Sequence, residues 1–211
     1  MLMLAFDVGH YRRLFELVVK VDDLTGSLEG QFEAALNSLG FFENKPRLAV
    51  AVSGGPDSLA LTFLAHRWAK QRSGFILGVT VDHALRPNSA SDAKSVGEIL
   101  RNCGISHEIR RYLGKTPSSR IQESARFFRY NLLGNLCREF GILHLLVGHH
   151  AADQRETVLM RRCRGSGLLG LAGMSAVQEK SGYRILRPLL KIEPERLKTY
   201  LKELGINWIE D

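Results

Sequence analysis

The stretch Leu48-Ala49-Val50-Ala51-Val52-Ser53-Gly54-Gly55-Pro56-Asp57-Ser58 decides the fold. Five apolar residues, four of them small or β-branched, run straight into a glycine turn, and a helical pattern carrying Leu59, Leu61, Phe63, Leu64 and Trp68 follows at once. A buried strand that turns directly into a helix is the opening of a strand-crossover-strand unit. Working outward, four more short apolar runs repeat the arrangement: Phe75 to Val81, His107 to Tyr112, His144 to Gly148 and Tyr183 to Leu186. The stretches between them show helical spacing, with Val96, Ile99 and Leu100 in one. A second begins near Ser118 and carries Ile121, Phe127, Leu132, Leu133, Leu136 and Phe140, and a third carries Val158, Leu159 and Met160. Alternating strands and helices predict an α/β fold, a doubly wound, five-stranded parallel sheet with crossover helices.

Beyond this alternation lie two flanks. Residues 1–46 are expected to be an N-terminal extension with one amphipathic helix from Leu28 to Leu39, stopped by Gly40, while residues 1–27 carry no chemistry that can be named. At the other end Pro194 opens a helix that runs to Leu204 and stops at Gly205. With 211 residues and 45% hydrophobic composition, the chain is long enough for one domain with a full core. Asp7, His10, Arg12 and Arg13 interrupt the N-terminus where a signal peptide needs an apolar run, and no stretch is apolar enough to span a bilayer, so a cytoplasmic protein without membrane attachment is expected. Cys103, Cys137 and Cys163 are odd in number and widely spaced, which argues against a disulfide framework or thiolate metal site. The net charge of +7 favours a polyanionic partner, although a surplus of this size also suits a merely solvated surface.

Ser53-Gly54-Gly55-Pro56-Asp57-Ser58 has the chemistry of a phosphate loop. Two glycines remove side chains that would block phosphate oxygens, the following helix N-terminus adds partial positive charge, and Ser53 and Ser58 offer hydroxyls. Asp57 would repel a bare phosphate, but its carboxylate suits Mg²⁺ held against a polyphosphate. The same residues would equally serve an ordinary strand-to-helix turn. Neither G-x-x-x-x-G-K-[ST] nor G-x-G-x-x-G is present.

Three other segments place polar residues where open α/β sheets bind ligands. Asp82 and His83 end the second strand, within Val81-Asp82-His83-Ala84-Leu85-Arg86. His149, His150, Asp153 and Glu156 follow the fourth, but their order lacks H-x-x-x-H or H-E-x-x-H zinc spacing. Arg126 and Arg129, within Ala125-Arg126-Phe127-Phe128-Arg129-Tyr130, are three apart on one helix, so they share a face and can aim at one anion or simply stand in solvent. Further on, Arg161, Arg162, Arg164 and Gly165 open a basic, glycine-rich stretch that suits a phosphate backbone or a flexible helix end.

The loop matches S-G-G-x-D-S, the PP-loop of the N-type ATP pyrophosphatases. The segments Ser53 to Ser58, Val81 to Arg86, Ala125 to Tyr130, His149 to Thr157, Arg164 to Met174 and Arg187-Pro188-Leu189-Leu190, in this order, resemble the catalytic domain of the tRNA(Ile)-lysidine synthase family. The resemblance implies an adenine nucleotide alpha hydrolase-like fold, with residues 47–211 as the catalytic domain. It also implies ATP and Mg²⁺ as cofactors, and tRNA(Ile) with a CAU anticodon and lysine as substrates. The C2 oxygen of the wobble cytidine would be adenylated, and the lysine amine would then displace AMP. Carried onto this chain, Ser53 to Ser58 would cradle pyrophosphate and Asp57 and Asp153 would hold the metal. Arg126 or Arg129 would stabilise phosphate charge, with Asp82, His83, His150 and Glu156 in second rank. Arg161, Arg162, Arg164 and Gly165 would meet the tRNA.

Two departures stand out. Ala152 occupies a position where family members often carry a second acid, which leaves Asp153 to act alone. Family proteins also ordinarily continue past the segment matching Trp208 to Asp211, so the resemblance implies a chain truncated at its C-terminus or an isolated catalytic domain. A tRNA-thiolating enzyme with the same loop, a non-catalytic ATP-binding module and a small-molecule amidating ligase are the rivals. Paired cysteines would mark the first, and none is present. A homodimer is compatible with all of these readings.

Overall fold

The computed structural model describes residues 26–82, 89–112, 121–165, 167 and 170–210. In chain order these form helix α1 (Leu28–Ser38), strand β1 (Arg47–Ala51), α2 (Pro56–Lys70), β2 (Phe75–Asp82), α3 (Ser89–Asn102), β3 (Ser106–Arg111) and α4 (Ile121–Glu139). After them come β4 (His144–Leu146), α5 (Ala151–Cys163), a single 3-10 turn (Gly170–Ala172), β5 (Val177–Lys180), β6 (Tyr183–Leu186) and α6 (Pro194–Glu203). Each expected strand is present within a residue or two, and the expected helix near Ser118 is described from Ile121 onward.

The sheet has the order β3-β2-β1-β4-β6-β5. The five expected strands, β1 to β4 and β6, run parallel, with Leu48 opposite both Ile76 and His144. The sheet is one strand wider than the sequence suggests, because β5 pairs antiparallel with β6 at the edge. Val-Gln-Glu-Lys lacks the apolar run that marks a buried strand, and three of its four residues are exposed. The Ser181-Gly182 turn, with Gly182 at φ +82°, is what closes this hairpin.

Side-chain alternation along the parallel strands builds a separate core on each face. Leu48, Val50 and Val52 point to one face and meet α2, α3 and α6 through Leu59, Phe63, Val96, Leu100, Leu197 and Leu201. Ala49, Leu77, Val79, Leu145 and Val147 point to the other and meet α4 through Leu133, Leu136 and Cys137. Helix α1 joins the first core, burying Leu28, Phe32 and Leu36, each worth about 1.5 to 3 kcal/mol. Its Ser27 cap accepts from Gly30 N, and Glu29 pairs with Arg67 of α2 at 3.1 Å.

The chain leaves β1 toward β2 on one side and later returns to place β4 on the other. The carboxyl ends of β1 and β4 therefore form the point where strand order reverses, a crevice that open α/β sheets use for ligands.

Candidate functional site

That crevice holds a cavity of about 660 Å³ lined by Ser53, Gly55, Asp57, Ser58, Asp82, Arg129, Tyr130, His149, His150 and Asp153, among others. Its floor is the phosphate loop. Gly54 adopts φ +96°, and Gly55 caps α2 without any side-chain hydrogen bond, with Pro56 next. The first N–H groups of α2 thus have no side-chain cap, a ready site for an anion. Within the loop, Ser58 Oγ accepts from Ser53 N at 3.1 Å and donates to Gly55 O at 2.9 Å, while the two serine hydroxyls stand 3.1 Å apart. Ser58 thereby holds the turn closed; with its own hydrogen on Gly55 O, the bond between the two hydroxyls is donated by Ser53, which also accepts from Gly55 N at 3.4 Å and, being exposed, can exchange these contacts for a ligand's.

Gly54 also explains the far end of the chain. Ile209 N donates to Gly54 O at 3.0 Å, and a Cβ on Gly54 would lie 2.8 Å from Ile209 Cδ1 and 2.9 Å from Val96 Cγ2. The Trp208 to Glu210 segment is a backing for the loop, a role no local sequence signal announces.

A second helix N-terminus faces the first. His150 caps α5, its backbone N–H donating to Asp153 Oδ2 at 2.8 Å while its Nδ1 accepts from Asp153 N at 3.4 Å. This reciprocal capping box accounts for part of the His-x-x-Asp pattern on structural grounds alone. With Nδ1 accepting, the ring proton falls to Nε2, which lies 3.4 Å from Asp57 Oδ2. Asp57, His150 and Asp153 are therefore one linked set. Gly148 lets the two helix starts approach, since a Cβ there would meet the Asp57 and Ser58 backbone at 3.3 Å.

Burial pushes the Asp57 carboxyl above its ordinary value; His150 and Lys198 pull it down, and Asp153 pushes it up. Asp57 Oδ1 is buried without a hydrogen-bond partner. A cation or a ligand donor would satisfy it, which is the fit Mg²⁺ requires. No group of three or more His, Cys, Asp or Glu side chains forms a metal cluster among the described residues. That pattern suits a metal bound through one or two carboxylates and completed by substrate oxygens.

Arg129 lines the cavity, and although it reaches solvent along the opening, burial lowers its pKa from the ordinary value, Tyr130 raises it, and Arg126 lowers it. Arg126 is exposed with its guanidinium carbon 5.3 Å from the centre of the Tyr130 ring, so the two arginines share one flank but only Arg129 lines the cavity. Asp82 is buried at the cavity wall and pairs with Arg111 at 3.5 Å. Glu156 is exposed on α5 and does not line the cavity. His83 lies outside the described residues. Arg162, Arg164 and Gly165 are exposed at the end of α5, whereas Arg161 donates to Gly173 O at 2.7 Å and ties down the loop that follows.

One residue to which the sequence assigns no role is His149. It lines the cavity, its Nδ1 is buried without a partner, and burial first, then Arg187 and Arg126, bring its pKa down to about 4. It is a neutral imidazole with an unsatisfied nitrogen. Its place beside His150 at a strand's carboxyl end was the available signal. Buried Arg187, which donates to Ser175 O at 2.8 Å, stands within electrostatic reach.

A glycine loop at a switch point, two facing helix N-termini and a buried carboxylate define a nucleotide-binding α/β domain built to grip a polyphosphate. The family profile of the PP-loop domain matches residues 25–211, and the chain belongs to that family. It is 44% identical over 172 residues to the tRNA(Ile)-lysidine synthase of Bradyrhizobium sp. strain BTAi1, covering 81% of this chain and 48% of that protein. To the tRNA(Ile)-lysidine synthase of Orientia tsutsugamushi it is 42% identical over 185 residues, covering 88% and 42%. The chain thus spans about half the length of the curated relatives it matches. Among solved structures, the U34-tRNA thiolase NcsA of Methanococcus maripaludis superposes with a TM-score of 0.74 at 18% identity, covering 87% of this chain and 66% of that one, a likeness of fold.

Proposed function

We propose that residues 47–211 form the catalytic part of a tRNA(Ile)-lysidine synthase and that residues 1–46 are an extension whose helix α1 is anchored on it. The observation that carries this reading is the convergence of Asp57, His150, Asp153 and Arg129 on one cavity above the phosphate loop, in a chain 44% identical to a relative of that name. Adenylation and displacement follow from the chemistry of a pyrimidine base. A C2 carbonyl oxygen is a poor leaving group, and a phosphate ester is a good one. In the first step the C2 oxygen of the wobble cytidine bonds to the α-phosphorus of ATP, the bond from that phosphorus to the bridging oxygen breaks, and pyrophosphate departs. In the second the lysine amine bonds to C2, the C2–O bond breaks, AMP departs and the amine loses a proton.

The residues divide this work by position. The capless N-terminus of α2 and the Ser53 hydroxyl take the pyrophosphate end. Arg129 meets charge on the α-phosphate from the cavity wall. Asp57, assisted by Asp153, would hold Mg²⁺, which supplies charge neutralisation to the phosphates when bound. His149, held neutral, offers a hydrogen bond to the reacting base or amine without adding a charge that would repel an incoming cation. No helix among the described residues is long and apolar enough to cross a membrane. The cytoplasm, where tRNA and ATP meet, is the compartment this reading requires.

The test is pyrophosphate release from Mg²⁺·ATP with lysine present, with and without tRNA(Ile) bearing a CAU anticodon, followed by mass analysis of the RNA. Release that depends on this tRNA, with a gain of the lysine mass at the wobble cytidine, is the expected result. Release with sulfur incorporation instead would move the chain to the thiolating branch, and tight ATP binding without turnover would make it a binding module.

A further inference from the structure

We propose that Tyr112, Phe127 and Phe128 form a stacking site for an unpaired nucleobase adjacent to the one that enters the cavity, an inference that rests on the RNA reading above. Three aromatic rings gather where the end of β3 meets α4. Tyr112 and Phe128 lie 4.3 Å apart between ring centres at a tilt of 32°, and Phe127 meets Phe128 edge-on at 5.7 Å. None of the three belongs to either hydrophobic core, and Phe127 is 63% exposed. Scattered surface apolar residues need no explanation; a contiguous aromatic group beside a ligand cavity does.

Its place in the fold connects it to the site. Tyr112 follows the carboxyl end of β3, and its N–H donates to Asp82 O at 2.8 Å, Asp82 being part of the cavity wall. Phe127 and Phe128 sit in α4 between Ala125 and Arg129, both of which line the cavity. The rings do not themselves line the cavity; Tyr112 adjoins its wall at Asp82, on a side where a strand delivering one base would pass its neighbours.

Charge selects the occupant. Arg126, which is exposed, and Arg129 stand on the same helix as two of the rings, and Arg111, with its side chain 61% exposed and paired with Asp82, precedes Tyr112 in the chain. Rings interleaved with guanidinium groups make a surface for single-stranded nucleic acid, because every base offers a face to stack and every linkage a phosphate. A second copy of this chain, itself carrying +7, would bring like charge against the same arginines.

The experiment is the affinity of the full chain for a fluorescently labelled anticodon stem-loop RNA with a CAU anticodon, by anisotropy at fixed salt, for wild type, Phe127→Ala and Phe127→Trp. Phe127→Ala should weaken RNA binding roughly tenfold, the scale of one lost base stack. ATP affinity and melting temperature should stay within error, and Phe127→Trp should restore binding. An abasic substitution at one neighbour of the wobble position should abolish the difference between wild type and Phe127→Ala. Equal RNA affinity in wild type and Phe127→Ala, while wild type still modifies the tRNA, overturns the stacking site and leaves the enzymatic reading intact. A dimer that becomes a monomer in Phe127→Ala with RNA affinity unchanged would assign the rings to contact between copies. Absence of RNA binding by wild type itself would remove both.

Discussion

Asp57 is placed under opposing demands. The metal-holding role proposed for it needs a carboxylate, yet burial raises its pKa from the ordinary value of 3.8. A carboxyl that is harder to ionise folded than unfolded binds more protons in the native state, so stability falls as pH rises from that ordinary value through the folded pKa. At neutral pH the ionised group is a cost to the fold. Asp57→Asn removes the charge and keeps the size, so it should leave the melting temperature equal or higher at pH 7. Pyrophosphate release should fall at least about 100-fold, the scale of losing one preorganised charge partner at a reacting phosphate. Calorimetry alongside the release assay checks both halves, and a variant that loses stability together with activity would make Asp57 a structural residue. The loop's usefulness is legible at this scale from Gly54, Gly55 and Asp57. The division of labour between Ser53 and Ser58 is not, because it depends on which hydroxyl the turn itself consumes.

At the scale of elements, the phosphate loop is clamped between α3 and the C-terminal segment. Gly54 has φ +96° and no room for a Cβ, since Val96 Cγ2 and Ile209 Cδ1 would lie within 3 Å of it. Gly54→Ala should therefore cost about 1 to 3 kcal/mol and raise the KM for ATP. Ile209→Ala keeps the backbone bond to Gly54 but removes packing beneath the loop, and a rise of a few-fold in KM for ATP is expected with kcat little changed. Because Ile209→Ala vacates the space a Gly54 methyl would enter, the double variant should cost less than the sum of the two single changes, which a double-mutant cycle by melting and ATP titration measures. Strict additivity would mean that the two residues do not share a contact. Helix α5 shows the converse limit of reading patterns. His150 and Asp153 are legible as polar residues at a strand's end, but the capping box that occupies them is visible only in three dimensions.

Across the described residues, four histidines sit where protonation is resisted, His144 among them. Burial brings His66, His107 and His149 from 6.5 to about 4, with His107 Nε2 bonded to Thr80 Oγ1 at 2.8 Å. Groups whose pKa is lower in the folded state bind fewer protons there, so their contribution to stability is complete above pH 6.5 and is lost as pH falls toward 4. The melting temperature should decline across that window, and His107→Gln, which keeps a partner for Thr80, should make the decline shallower; a flat profile would mean that these imidazoles are more open to water than the fold implies. The chain's own pattern determined the parallel sheet, the loop after β1 and the polar segment after β4, because a strand buried on both faces must be apolar throughout and a strand-to-helix turn must be glycine-rich. Edge strand β5 escaped, since three of its four residues face solvent and its order comes from β6 rather than from itself. The meeting of Asp57, His150 and Asp153, the unpartnered nitrogen of His149 and the support of Gly54 by Ile209 were decided only by tertiary structure. Such contacts join residues about a hundred or more positions apart, and local propensity carries no information about distances that the packing of α2, α5 and the C-terminal segment around one sheet edge creates.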